Sequence, residues 1–485
     1  MNETLGDRAH WQEMEWSEPR QGPRWKRLRK RLEVAGFSCA SELAARLPEK
    51  AIVGFAEPKL RRGIAWQDGV DFLLDVILLM RRSWSELRPS VRQRFTQNIF
   101  LNALLGSREK HRRASDVLGD YPCVMVVSPT MRCNLRCAGC YSFNYSKQDA
   151  ISTERLHQLY SEAEELGIHL VVLTGGEPFL RRDTLDLCEA HPNLLFMTYT
   201  NGTIIAKRKL GRRLADLGNV VPCVSVEGFE QETDARRGRG THRRILAAMR
   251  DMSENGVLFG YSATPMRHNN ELLCSDAFVD FYRKQGCRVG WYFSYMPVGR
   301  DPSLDMMPTP AQRLFRFHRI RSIRREHKLL AADFWCDGVL VGGCLSGGRT
   351  FFHVNAQGGV EPCVFHQFHV DNINDKSLLD CLNSSYFRDI RNRLREIENP
   401  LRPCPVIDNP WMLRELVAKH RPLASQPTSR EILRPDIAEG LDCYAEALKQ
   451  VLDPVFADCR QGCPWPLEPS GGARNKEAAR TLTHQ

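Results

Sequence analysis

Between residues 120 and 300 the chain repeats one pattern: a short apolar run, a polar turn, then a stretch of helical period. The runs are CVMVVSP (123–129), IHLVVLT (168–174), LLFMTYT (194–200), VVPCVSV (220–226), LFGYSAT (258–264) and VGWYFSY (289–295). Short runs rich in β-branched and aromatic side chains read as buried strands, and the segments between them as helices. STERLHQLYSEAEELG (152–167) is the clearest helix, with Ser152 as N-cap, Leu156, Leu159, Ala163 and Leu166 on one face, and Gly167 at the end. Six such units in a row imply right-handed crossovers and a parallel sheet, open or closed. Chemistry in such a sheet gathers at the carboxyl ends of its strands.

At 485 residues the chain is expected to form two or three domains with a sizeable core. Its 42% apolar and 26% charged residues exclude global disorder. The net charge of +10 leaves an anionic substrate, a membrane surface or nucleic acid open as partners. Aromatic residues do not interleave with the basic runs, so no nucleic acid is expected. Glu3, Asp7, Glu13 and Glu15 interrupt the start of the chain, and no targeting segment is read there. The apolar run FLLDVILLM (72–80) contains Asp75 and is far shorter than the roughly 20 residues of a membrane span. A cytoplasmic protein is expected.

Residues 1–118 read as a separate helical module, with helices over 24–36, 40–47, 69–82 and 92–105. In its basic first helix Trp25, Leu28, Leu32 and Val34 stand among Arg and Lys, so peripheral membrane contact competes with an ordinary solvated face. Residues 119–330 hold the six units, which stop at about 330. Residues 331–465 form an α+β extension: a hairpin around AQGG in FFHVNAQGGVEPCVF (351–365), a helix near 376–396 and another near 429–452. The tail 466–485 is expected to be disordered.

Seventeen cysteines without an export signal favour metal ligands or buried apolar fillers over disulfides. MRCNLRCAGCY (131–141) brings Cys133, Cys137 and Cys140 together just past the first strand. Chance would give that spacing roughly 0.02 times in a chain of this composition. Three thiolates can hold three irons of a [4Fe–4S] cluster and leave the fourth open. A structural zinc knuckle wants four closed ligands, and no fourth Cys or His stands close by.

The triplet, followed by Tyr141, resembles the signature of the radical S-adenosylmethionine (SAM) superfamily, in which the open iron is chelated by SAM. Further motifs follow in that family's order at successive strand ends. TGGEP (174–178) resembles the Gly-Gly-Glu-Pro segment and implies SAM contacts from Gly175, Gly176, Glu177 and Pro178, the ammonium being received by the Gly176 carbonyl and Glu177. TNGT (200–203) implies Asn201 near the cofactor. VSVEG (224–228) implies Ser225 and Glu227 as ribose or carboxylate contacts, and Arg237 resembles the arginine that pairs with the SAM carboxylate. YSAT (261–264), with Ser262, and YMPVG (295–299) end the fifth and sixth runs. The resemblance covers about 120–300 and implies a partial (β/α)6 barrel.

Cys344 and Cys363 flank the hairpin and Cys404 follows. This part resembles the extension known as SPASM, or its shorter twitch form, which carries an auxiliary iron–sulfur cluster. Gly358 stands five residues before Cys363 as in that pattern, but the later dense cysteine run is missing, which implies one auxiliary cluster. Cys443 is the candidate fourth ligand; Cys336, Cys381, Cys459 and Cys463 compete with it, a vacant position is a further option, and His353, His366 and His369 stand near in sequence. Segments to about residue 450 also resemble a bacterial subfamily described as iron–sulfur oxidoreductases, in whose D-F-x-N-D-G segment this chain has Cys336 in place of Asn.

The resemblance implies an enzyme that takes one electron from a donor such as ferredoxin or flavodoxin, cleaves SAM to methionine and a 5′-deoxyadenosyl radical, and abstracts a substrate hydrogen. The extension suggests a peptide substrate, and the basic helix with the apolar 72–80 segment a lipid or isoprenoid. A non-catalytic iron–sulfur electron carrier is the alternative class.

Overall fold

The computed structural model describes residues 46–61 and 67–460. The expected helix at 24–36, residues 40–45, the Cys459 side chain, Cys463 and the tail 466–485 lie outside the described residues.

The six apolar runs form the strands Val124–Val127 (β1), Leu170–Leu173 (β2), Leu195–Thr200 (β3), Val220–Val226 (β4), Gly260–Ala263 (β5) and Val289–Tyr292 (β6). Neighbours pair in parallel, with Val127 opposite Leu173 and Ser225 opposite Ser262. The helix Thr153–Glu165 starts where Ser152 Oγ accepts the Arg155 N–H at 3.1 Å, and buries Leu156, Leu159 and Ala163.

The units do not stop at 330. Leu330–Asp333 (β7) adds a parallel strand beside β6. Phe351–Val354 (β8), the first strand of the expected hairpin, lies parallel to β1, and Val360–Glu361 (β9) returns antiparallel. The extension therefore completes the sheet, in the order β7-β6-β5-β4-β3-β2-β1-β8-β9. The expected helix near 376–396 is two, Leu378–Leu382 and Ser385–Arg395, the second capped by Ser384. The last helix is longer than expected, Pro435–Arg460.

Alternation along the strands separates two faces. Met125, Val127, Val171, Leu173, Phe196, Val224, Tyr261 and Tyr292 pack outward in the main core with the covering helices. Inward at the amino ends, Leu195, Val221, Leu258, Val289 and Leu330 meet Leu79, Met80, Leu87, Val91 and Phe95. The apolar run 72–80 is thus the plug of the half-barrel, with Leu74, Leu78, Leu79 and Met80 buried. The apolar character of that segment thus serves the sheet and no longer speaks for a lipid or isoprenoid substrate. It also shows that helices Gln67–Ser83 and Pro89–Thr96 share the core of the following residues rather than standing apart as a module.

Above the plug an aromatic layer crosses the concave face. Tyr199 stacks edge-on to Phe293 at 5.0 Å between centroids, Phe293 lies 5.1 Å from Phe334, and Phe334 reaches Phe351 of β8 at 6.0 Å. Trp291 joins Phe334 at 5.8 Å. The polar strand ends lie beyond this layer.

Candidate active site and metal centres

The loop after β1 is fixed by the TGGEP segment running beside it. Gly176 N–H donates to Thr130 O at 2.9 Å and Glu177 N–H to Arg132 O at 2.8 Å. A Cβ on Gly176 would sit 2.2 Å from Arg132 O; Gly175, at φ +101°, would bring one within 2.5 Å of Thr130 O. Both glycines are therefore required for this segment to pass so close to the cysteine loop. Ser142 Oγ donates to Gly175 O at 2.9 Å and lies 3.5 Å from Cys140 Sγ, while Tyr141 and Thr174 share a hydroxyl bond of 2.8 Å. Pro178 opens the short turn Pro178–Leu180.

Glu177 is fully buried, and its carboxylate accepts from the Asn201 N–H at 2.8 Å, the Thr200 hydroxyl at 2.8 Å and the Phe179 N–H at 3.2 Å. Burial outweighs these donors and raises its pKa to about 7. Its carboxylate thus ties the end of β2 to the end of β3. Asn201 in turn reaches the loop: its Nδ2 donates to Asn134 Oδ1 at 3.0 Å and lies 3.8 Å from Cys133 Sγ. Leu135 N–H also donates to Cys133 Sγ, at 3.4 Å.

At the end of β4, buried Glu227 is held by two arginines, Arg237 Nε on Oε1 at 2.8 Å and Arg236 on Oε2 at 2.7 Å. Arg237, which the sequence assigns to the SAM carboxylate, is committed here to Glu227, and that pairing raises its pKa further. Arg236 also stitches to the loop: its Nε donates to Ala138 O and Ala138 N–H to Arg236 O, both at 3.1 Å. Ser225 and Ser262 share a hydroxyl bond of 3.1 Å on the face opposite the main core. Burial pushes the Cys133 thiol up to about 11 and Cys137 upward, the latter opposed by Arg237. Three thiols on one loop, Cys133 exposed and Cys137 and Cys140 half-buried, with N–H donors on Cys133 and a guanidinium near Cys137, are a donor set fitted to a cationic centre.

Cys344, Cys363 and Cys404 also come together: Cys404 is pushed well up by burial, then by the charges of Asp408, Cys344 and Cys363, and burial raises Cys363 to about 12. Each sulfur has a polar neighbour: Ser346 Oγ lies 3.1 Å from Cys344, and the N–H groups of His366 and Val406 donate to Cys363 at 3.3 Å and to Cys404 at 3.4 Å. Gly358, at φ +89°, turns the hairpin where a Cβ would lie 2.3 Å from Asn372 Oδ1. This set too fits an iron–sulfur group.

Three of the competing fourth ligands, Cys443, Cys336 and Cys381, lie within the described residues, each in surroundings of its own. Cys443 is exposed on the last helix, next to Asp442, which pairs with Arg414. Cys336 fills an apolar cluster with Phe317, Leu401 and Leu448, and Cys381 lies in the main core. Past Cys404, Val406, Ile407, Leu413 and Val417 are packed as apolar side chains. The histidines are engaged elsewhere: His369 with Ser425 at 3.0 Å, and His366 with the Tyr386 hydroxyl at 2.8 Å, burial lowering its pKa to about 4. His353 belongs to a buried chain that sequence reasoning missed, Ser128 Oγ to His353 Nε2 at 2.7 Å, His353 Nδ1 to Glu361 at 2.6 Å, and Tyr145 hydroxyl to Glu361 at 2.9 Å. Only the cross-strand pairing of His353 with Glu361 brings it together.

Two family profiles match the chain, the Radical SAM superfamily over residues 127–271 and the SPASM iron–sulfur cluster-binding domain over 344–405. The chain is a radical SAM protein with a SPASM extension. It thereby belongs with proteins that use a [4Fe–4S] cluster with SAM and auxiliary iron–sulfur clusters. Fe-coproporphyrin III synthase of Methanosarcina barkeri is 28% identical over 151 residues, 30% of this chain and only 38% of that relative. PqqA peptide cyclase of Bradyrhizobium diazoefficiens is 25% identical over 273 residues, 53% of this chain and 70% of that one. The structure of Streptococcus suis SuiB bound to precursor peptide SuiA shares the fold, with a TM-score of 0.50 at 18% identity, over 64% of this radical SAM/SPASM chain and 73% of SuiB. No helix among the described residues is long and apolar enough to cross a membrane.

Proposed function

We propose that this radical SAM/SPASM protein cleaves SAM reductively at Cys133, Cys137 and Cys140 and modifies a peptide. The chemistry such a cluster supplies with SAM is one-electron cleavage of the sulfonium to methionine and a 5′-deoxyadenosyl radical, which takes a hydrogen atom from substrate. The observation that carries the reading is the cysteine loop itself, bound to the TGGEP segment through backbone contacts that only glycine permits.

The chain's residues position and shield. Asn201 and Leu135 donate toward Cys133. Tyr141, Gly175, Gly176, Glu177 and Pro178 hold the loop at a fixed distance from β2, and the Gly176 carbonyl is the acceptor for an ammonium. Ser225 and Ser262 present hydroxyls to a ribose, and Arg237, shared with Glu227, offers its remaining N–H groups to a carboxylate. The plug and aromatic layer close the barrel from below and exclude water from a radical. Cys344, Cys363 and Cys404 hold one auxiliary cluster with a vacant fourth position.

A peptide substrate is supported by the peptide cyclase among the relatives. A planar macrocycle is the second reading, favoured by the aromatic layer and by the coproporphyrin relative. Replacing Cys133, Cys137 and Cys140 together by Ala is expected to abolish 5′-deoxyadenosine formation in anaerobically reconstituted protein. Persistent product in that variant would overturn the assignment of cleavage to these three cysteines, whereas an iron centre whose spectrum ignores SAM would favour the electron-carrier alternative.

A further inference from the structure

A cavity of about 480 Å³ opens on the outer side of the cysteine loop, and six arginines line it: Arg136, Arg236, Arg237, Arg239, Arg244 and Arg300. The rest of its wall is the loop itself, Asn134, Leu135 and Ala138, and the end of the helix Glu230–Arg237. Three carboxylates face these cations. Buried Glu227 takes Arg236 and Arg237, Asp234 accepts the N–H groups of Gly240 and His242, and exposed Asp301 meets Arg300 at 3.3 Å. Arg136, Arg239 and Arg244 are exposed, and among the described residues no carboxylate pairs with any of them. Phe143 backs the rim, with the Arg300 and Arg136 guanidiniums 4.8 and 5.6 Å from its ring centre and the Lys147 ammonium 5.7 Å away. A concentration of cations this incompletely neutralised is a site for a polyanion.

We infer that this arginine-lined cavity is the docking surface for an acidic one-electron donor protein. The inference rests on the functional reading above, which requires such a donor, and adds the place where it binds. Position decides between donor and substrate. No strand residue lines the cavity, Ser225 and Ser262 of the concave face included, and of the residues proposed as SAM contacts only Arg237 stands in its wall. The wall between it and the thiols is the loop that bears them, since Asn134, Leu135, Arg136 and Ala138 are the residues between Cys133, Cys137 and Cys140. Only the thickness of that loop then separates donor from acceptor. Each SAM cleaved takes one electron, the donor being oxidised by one and the sulfonium reduced by one.

The test uses the full reconstituted chain with saturating SAM and measures 5′-deoxyadenosine formation with two donors, a reduced acidic flavodoxin and reduced methyl viologen, a small cation. Arg239→Glu with Arg244→Glu reverses charge at two exposed positions off the cysteine loop and outside the contacts proposed for SAM and metal. The flavodoxin concentration for half-maximal rate is expected to rise about tenfold or more, and its salt dependence between about 0.05 and 0.3 M to flatten. The rate with methyl viologen is expected to stay within about twofold. An unchanged response to flavodoxin overturns the inference, and so does an equal loss with both donors, which would make the arginines supports of the loop. If the unaltered protein forms no 5′-deoxyadenosine even with methyl viologen, it is the functional reading that falls.

Discussion

Gly176 shows how one residue sets the site. Its Cα is packed against the Arg132 carbonyl, so Gly176→Ala must push the TGGEP segment off the cysteine loop and lose the bonds from Gly176 and Glu177 to that loop. Iron bound per chain after anaerobic reconstitution is expected to fall severalfold, whereas Gly54→Ala, in open space, leaves it unchanged. Glu177 makes a pH-dependent contribution. Its folded pKa of about 7 lies above the unfolded value of about 4.3, so the folded chain keeps a proton that the unfolded chain has released. The stability this supplies is complete below the unfolded value and is lost as pH rises through about 7. Denaturant midpoints of cluster-free protein at about pH 5 and 8 are expected to fall with pH, and to fall less in Glu177→Gln; an equal decline in both would assign the effect elsewhere. At this scale the sequence revealed the identities but not the commitments. Nothing in DARRGRG indicates that Arg237 is already clamped on Glu227, because that bond joins the end of a helix to the loop after β4.

Among elements, the six strands were legible because each is a short apolar run bounded by turns, and the observed bounds fall within the runs. β7 was not: LLAAD is brief, follows a long basic helix, and gains its character only from lying beside β6. The hairpin around AQGG was legible from its turn, yet its parallel place beside β1 was not, since over 200 residues separate the partners. The segment 72–80 is the instructive failure, for the same apolar helix face suits a lipid substrate or a barrel floor, and composition does not distinguish them. Its role as a floor predicts that Leu79→Ala, at a buried contact with the amino ends of the strands, costs about 2–4 kcal/mol in denaturant unfolding. The folded variant is expected to keep its SAM cleavage, because the reacting end of the barrel lies beyond the aromatic layer. Loss of cleavage at full stability would show the floor to be part of the chemistry.

For the whole molecule, the consequence of β8 is that the two metal sites share one sheet. Val124–Val127 is bonded on one edge to β2 and on the other to β8, so the strand that launches the cysteine loop is central only because the extension is present. The buried chain from Ser128 through His353 to Glu361 binds the same two strands, beginning five residues before Cys133 and ending two before Cys363. Removing the extension would expose the edge of β1 and strand the Ser128 and Tyr145 hydroxyls without partners, each unsatisfied buried group costing about 1–3 kcal/mol. A chain ending at residue 343 retains Cys133, Cys137 and Cys140, yet it is expected to reconstitute little iron at them. Iron and sulfide per chain, read with the absorbance of the reconstituted protein, measure this directly. A truncated chain that binds a full cluster and cleaves SAM would mean that β1 holds its loop without β8, and that the two centres are joined only by the chain between them.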